Sequence, residues 1–261
     1  MYENIFLRAF QAFHAYVDSF RDASGKLEYA MQAKLGHTEE VRRITDLIMA
    51  DGGSFSDEDR LTFRLCALFH DVSRFEQILR FHTFLDAASF DHGNRSAELI
   101  VEKHFLDDVS EKIRSCVINA VRVHNKLAIP ADLPPAHIPA AKMVRDADKL
   151  AILRLVIRFF QGHENDPSIR LDLPDTPSFS DSVLETVKAR QCVRYTDLKN
   201  VNEFKLALFA WVNDLNYGAS FALASREDLF GQVRALLPED PRLDELLRET
   251  RSTLSARSSA P

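Results

Sequence analysis

An all-α protein is predicted by three features of the sequence. Apolar residues recur at helical spacing along most of the 261-residue chain, no stretch alternates in the period-two manner of a half-buried strand, and no internal repeat or coiled-coil heptad is present. Hydrophobic content of 46% with 19 phenylalanines is ample for a core. One helical domain is therefore expected over residues 1–250, with a motif-bearing core over about 30–160 and further helices over 181–250. The polar end "RSTLSARSSAP", residues 251–261, is expected to be a disordered tail.

The elements follow in order. Residues 2–32 carry Ile5, Phe6, Phe10, Phe13, Tyr16, Val17 and Phe20 at helical offsets, which predicts an opening amphipathic helix. A second is predicted from about 36 to 50, with Val41, Ile44 and Ile48 on one face. In "SDEDRLTFRLCALFHD", Ser56 is a candidate N-cap and the acids behind it suit the positive end of a helix. Helices are predicted over 92–106, 110–125 and 140–161, the last preceded by the proline-rich loop "AIPADLPPAHIP". Residues 162–180 read as a long loop, 181–237 as two or three helices, and "DELLRET" as a last one.

Composition excludes some classes of function. A net charge of −6 argues against a nucleic-acid partner, which requires a cationic surface. The apolar run "LAILRLVIRFF" is broken by Arg154 and Arg158 and is too short to span a bilayer, and "MYENIFLRAFQAF" lacks the layout of a secretory signal. Cys66, Cys116 and Cys192 form no CxxC pair and read as reduced thiols of a cytoplasmic protein.

Against this background the inward-facing polar residues stand out. His37 shares a face with Val41, Ile44 and Ile48; His70 points with Phe63, Cys66 and Ala67; His124 follows Ile113, Val117, Ala120 and Val121. His92 opens a helix beside Ser96 and Leu99, Asp71 adjoins His70, and Asp148 lies four residues from both Val144 and Ile152. Singly, each reads as a hydrogen-bonded core residue. Together they call for shared compensation, because several buried ionisable groups otherwise need independent partners. A divalent cation supplies it, and mixed nitrogen and oxygen donors suit Zn, Mn, Fe, Co or Ni.

The order His37, His70-Asp71, His92, His124, Asp148 resembles the HD-domain superfamily of metal-dependent phosphohydrolases, whose signature is H…HD…D on a helical scaffold. "GHTEEVRRI", "ALFHDVSRFEQ", "DHGNRSAEL", "VRVHNK" and "RDADKL" are similar to its successive motif blocks, over roughly residues 30–160. The resemblance implies His37, His70, Asp71 and Asp148 as ligands, with Asp148 preferred to Asp146. It implies His92 and His124 as the extra histidines of two-metal branches, with Asp71 bridging. One or two divalent ions (Mn, Fe, Ni, Co, Zn or Mg) and a small phosphorylated substrate, either a phosphomonoester or a phosphodiester, are thus expected. Arg74 stands where cyclic-dinucleotide phosphodiesterases of the superfamily carry a lysine, but "NKLAIPADLPP" replaces their "GYP" after His124, which argues against that substrate.

On this reading Asp71, Arg74 and Lys126 form the catalytic set. Arg74 would clamp a phosphate, or else form a structural ion pair, with Glu76 as one candidate; Lys126 would contact a second phosphate, or else face solvent. Asp146 would orient a ligand histidine or pair with Lys142 or Lys149, and Glu39 or Glu40 would accept a proton or face water. Two alternatives stay open. Two-iron oxygenases of the same superfamily use six ligands in this order, and a helical sensor or interaction module would keep any metal as a structural element.

Overall fold

The computed structural model describes residues 2–163 and 167–258. They are helical, with no strand among them. In chain order the helices are α1 (Tyr2–Asp18), α2 (Tyr29–Asp51), α3 (Asp57–Phe69), α4 (Arg74–Phe81), α5 (His92–Glu102), α6 (Glu111–Val123), α7 (Ile138–Phe160), α8 (Asp181–Lys188), α9 (Val201–Ala207), α10 (Gly218–Arg226), α11 (Leu229–Ala235) and α12 (Pro241–Arg257). The chain divides into two compact units, Met1–Asp148 and Lys149–Pro261, with the boundary inside α7.

In the first unit, α3 packs against α1, α2 and α6, and α5 lies along α6. The core between them is aromatic. Phe13 of α1 meets Phe69 at 6.0 Å and Phe75 at 6.1 Å between ring centroids, and Phe69 stacks on Phe105 at 5.0 Å. Those rings brace the short turn between α3 and α4, residues 70–73. Its anchor is Ser73, whose hydroxyl donates to the His92 carbonyl (2.9 Å) and accepts from Ser96 (3.0 Å), fixing the start of α4 against α5. The expected Ser56 cap is present as a reciprocal pair. Ser56 Oγ accepts from the Asp59 amide at 3.1 Å, and the Asp59 carboxylate accepts from the Ser56 amide at 3.1 Å.

The boundary between the first two helices differs from the sequence reading. The opening helix ends at Asp18 rather than running to 32. Asp22 accepts from the amides of Ser24 (2.8 Å) and Lys26 (3.0 Å), and Gly25 takes φ +81°, so "DASGK" closes a turn before α2. The apolar stripe continues across it because Leu27 and Met31 are buried too, which is why periodicity alone misses the break.

In the second unit, α12 packs on α10 and α11. Arg154 pairs with Glu227, Lys149 with Asp214 at 2.8 Å, and Arg234 with Asp244 at 2.8 Å. Phe221 is buried, and Trp211, half-buried, lies under the Lys149 ammonium at 5.9 Å. The supposed disordered tail is corrected over 251–257. α12 runs to Arg257 because Leu243, Leu246, Thr250 and Leu254 continue one buried stripe; residues 259–261 lie outside the described ones. Of the expected 162–180 loop, Pro167–Arg170 forms a 3-10 turn and 164–166 lie outside the described residues. Four helices, α8 to α11, occupy 181–237. All three cysteines are free thiols. No helix among the described residues is long and apolar enough to cross a membrane.

Candidate metal centre

The six residues picked out by pattern meet at one place in the first unit. They form two groups that could each hold a metal ion: His37, His70 and Asp148, and Asp71, His92 and His124. α2 brings His37, the end of α3 His70, the turn behind it Asp71, the first turn of α5 His92, the end of α6 His124, and α7 Asp148. His14, His82, His104, His137 and His163 belong to neither group.

In the first group, His37 Nε2 lies 2.9 Å from Asp148 Oδ1 and 3.4 Å from His70 Nε2, and His70 Nε2 lies 3.9 Å from Asp148 Oδ1. In the second, Asp71 Oδ1 lies 3.6 Å from His92 Nε2 and 3.8 Å from His124 Nε2. Asp71 also faces the first group, with Oδ2 at 3.7 Å from His70 Nε2 and 3.9 Å from His37 Nε2. Donors each bound about 2.1 Å from one ion can be at most about 4.2 Å apart. Every one of these separations meets that limit.

The protons of the rings can be placed. His70 Nδ1 is 2.9 Å from the Ala67 carbonyl and His124 Nδ1 is 2.7 Å from the Val121 carbonyl. A carbonyl only accepts, so both rings carry the proton on Nδ1 and direct the Nε2 lone pair into the cluster. His92 does likewise, donating from Nδ1 to Asp86 Oδ2 at 2.5 Å. Three lone pairs and carboxylate oxygens thus converge in a buried space, an acceptor-rich arrangement that a cation satisfies. The donor set fits a divalent metal ion.

Electrostatics agree. Burial holds the imidazoles of His37 and His92 below the ordinary histidine value, helped at His92 by the Arg74 charge. His124 is held at about 3 by burial and by its neighbours His92 and His70. Burial works against ionisation of Asp71, but the cations Lys34 and Arg74 outweigh it and keep the carboxyl well below the usual range. A consequence concerns acid. Below pH 6.5 these imidazoles protonate in the unfolded chain and stay neutral in the folded one, so the metal-free protein loses stability as pH falls. His124 alone then costs on the order of 2 kcal/mol at pH 5. Thermal unfolding at pH 7.5 and pH 5 checks this; an unchanged midpoint would contradict the buried neutral rings.

Some residues take part without having been picked out in the sequence. Lys34, one turn before His37, reaches Asp71 Oδ2 at 3.0 Å. Asp86, in the loop before α5, holds His92 and also accepts from Arg74 (3.0 Å) and Gln77 (3.1 Å). Arg145, fully buried, donates to the carbonyls of His124 (2.9 Å) and Lys126 (2.5 Å) and closes the C-terminal end of α6. Gly93 lets α5 begin against that end, since a Cβ there would stand 2.9 Å from the Arg122 carbonyl.

Arg74 and Lys126, the expected phosphate contacts, are engaged with protein groups. Arg74 Nη1 donates to Gln77 (2.6 Å), the Phe84 carbonyl (2.7 Å) and Asp86, while Nη2 faces His92 Nε2 at 3.3 Å. Glu76, the candidate structural partner, pairs instead with Arg80 and Arg95. Lys126 forms an ion pair with Asp91. Glu39 pairs with Arg42 and Glu40 with Arg43, on the outer side of α2. Asp146 is fully buried in α7, but it is Asp148 that stands in the metal-binding group.

Comparison of the chain with protein-family models, curated proteins and solved structures finds no match.

Proposed function

We propose that the chain is a metal-dependent phosphohydrolase of HD-domain type, acting on a small phosphorylated substrate. The observation that carries this reading is the pair of histidine–carboxylate groups on either side of Asp71, each of whose oxygens faces one group. The ligand order of the superfamily supports it. A divalent ion held there supplies a water of lowered pKa and offsets the charge on phosphoryl oxygens.

The chain's own residues prepare that chemistry. The carbonyls of Ala67 and Val121 and the Asp86 carboxylate keep three Nε2 lone pairs aimed inward. Asp71 holds its charge beside both groups because Lys34 and Arg74 flank it. Burial of the four imidazoles keeps bulk water from competing for them.

The test is metal analysis of the purified protein followed by assay of the chelated and the Mn(II)-, Co(II)- and Fe(II)-reconstituted forms on phosphomonoesters and phosphodiesters, with and without dioxygen. Release of inorganic phosphate or an alcohol that follows metal loading and persists without dioxygen is the expected result. Oxygen consumption with no anaerobic hydrolysis would replace the proposal by the oxygenase reading.

A further inference from the structure

The cluster has a solvent side, and one cation on it is not used up by the protein. Lys34 is 20% exposed at its side chain and Asp148 18%, whereas Asp71 is 4% and His70 fully buried. An ammonium carries three N–H donors. Among the described residues its one hydrogen-bond acceptor is Asp71 Oδ2, and its other neighbour is the Phe84 ring, 4.9 Å from nitrogen to centroid. Arg74 sits over the same ring at 5.6 Å. The contrast with the other two cations is direct: Arg74 Nη1 has three protein acceptors, and Lys126 is paired with Asp91.

From this we infer that Lys34 is the substrate-phosphate contact of the site, and that the group it takes is a terminal, dianionic phosphate. The inference rests on the phosphohydrolase reading above and adds to it a binding residue and a choice between monoester and diester. A cation with donors left over, beside a centre that could hold divalent ions, favours an anion of charge −2 over the single charge of a diester. The Phe84 ring bounds the ammonium on one side, 4.9 Å from nitrogen to centroid, and leaves its remaining donors to the solvent side. A lysine here acts as a mobile point charge on one oxygen, which is what an incoming phosphate requires; Arg74 offers less, its Nη1 being held by three protein acceptors and its Nε, though without a hydrogen-bond partner, buried.

The experiment is calorimetric titration of the full chain, reconstituted with Mn(II), with inorganic phosphate and with dimethyl phosphate, in the natural protein and in Lys34→Gln and Lys34→Arg. Metal content and far-UV circular dichroism are measured on each. The natural protein is expected to bind phosphate at least about tenfold more tightly than dimethyl phosphate. Lys34→Gln is expected to keep its metal and lose about tenfold in phosphate affinity, the worth of one charged hydrogen bond, with Lys34→Arg restoring most of it. Equal phosphate binding by the natural protein and Lys34→Gln overturns the role of Lys34 while leaving the hydrolase reading in place. Failure of the metal-loaded natural protein to bind phosphate overturns both. Loss of metal in Lys34→Gln with phosphate affinity unchanged per bound metal would make Lys34 a structural counter-ion to Asp71 and likewise reject the assignment.

Discussion

Asp71→Ala is expected to lose bound divalent metal and metal-dependent hydrolysis together, while keeping most of its helical signal. No other residue of the cluster serves both groups, with Oδ2 3.7 Å from His70 Nε2 and Oδ1 3.6 Å from His92 Nε2. The alanine removes both oxygens at once and leaves Lys34 and Arg74 without their shared carboxylate. Those cations then stand beside the imidazoles and repel an incoming ion. Secondary structure survives because the α3–α4 turn is held by Ser73, Ser96 and the aromatic block rather than by the aspartate side chain. Elemental analysis and circular dichroism on the same preparations decide the matter. Asp71→Asn separates charge from shape, since it keeps one oxygen and the volume but cannot serve as a charged ligand to both groups. Full metal content and full activity in Asp71→Ala would refute the site.

The second large effect is on stability. Arg145→Met is expected to destabilise the protein by at least about 3 kcal/mol. Its guanidinium, 1% exposed, donates to the carbonyls of His124 and Lys126, with Val123 at 3.3 Å and Leu127 at 3.4 Å completing the set. Val123 ends α6 and the others follow it in the next turn, where the macrodipole favours a positive charge; the Val123 carbonyl also accepts from the Lys126 amide at 3.2 Å. Methionine fills comparable space but offers them nothing, and water does not reach a fully buried position. The urea midpoint of the metal-free protein measures the loss; a change below about 1 kcal/mol would show that the carbonyls find other donors. Arg145→Lys is expected to recover only part of it, because one ammonium cannot span carbonyls that a planar fork reaches together.

These two residues also mark how far the sequence could be read. The fold class and most helices were legible because apolar spacing carries them, and His37, His70 and His124 were legible because each shares a face with buried aliphatic neighbours. The preference for Asp148 over Asp146 came from the family resemblance of "ADKL", with the periodicity agreeing. The residues that complete the centre carry no such mark. Lys34 stands on a helix face where a lysine is ordinarily solvated. Asp86 opens a single 3-10 turn in the connection before α5, and its meeting with His92 depends on how that connection folds back. Arg145 looks like a surface charge in a helix until α6 is seen to end against it. The end of α1 was hidden because the apolar run continues through Leu27, and the reach of α12 because serines and arginines around Leu254 outweigh one buried leucine in composition.

The way the imidazoles are held has a further consequence. His70 and His124 each fold back on a carbonyl three residues earlier in the same chain segment, so their aim is inherited with the helix end that bears them. His92 instead takes its aim from Asp86, a residue of the connection between α4 and α5 rather than of the histidine's own helix. Changes confined to that connection therefore act on the group of Asp71, His92 and His124 and spare that of His37, His70 and Asp148, with all six side chains still in place.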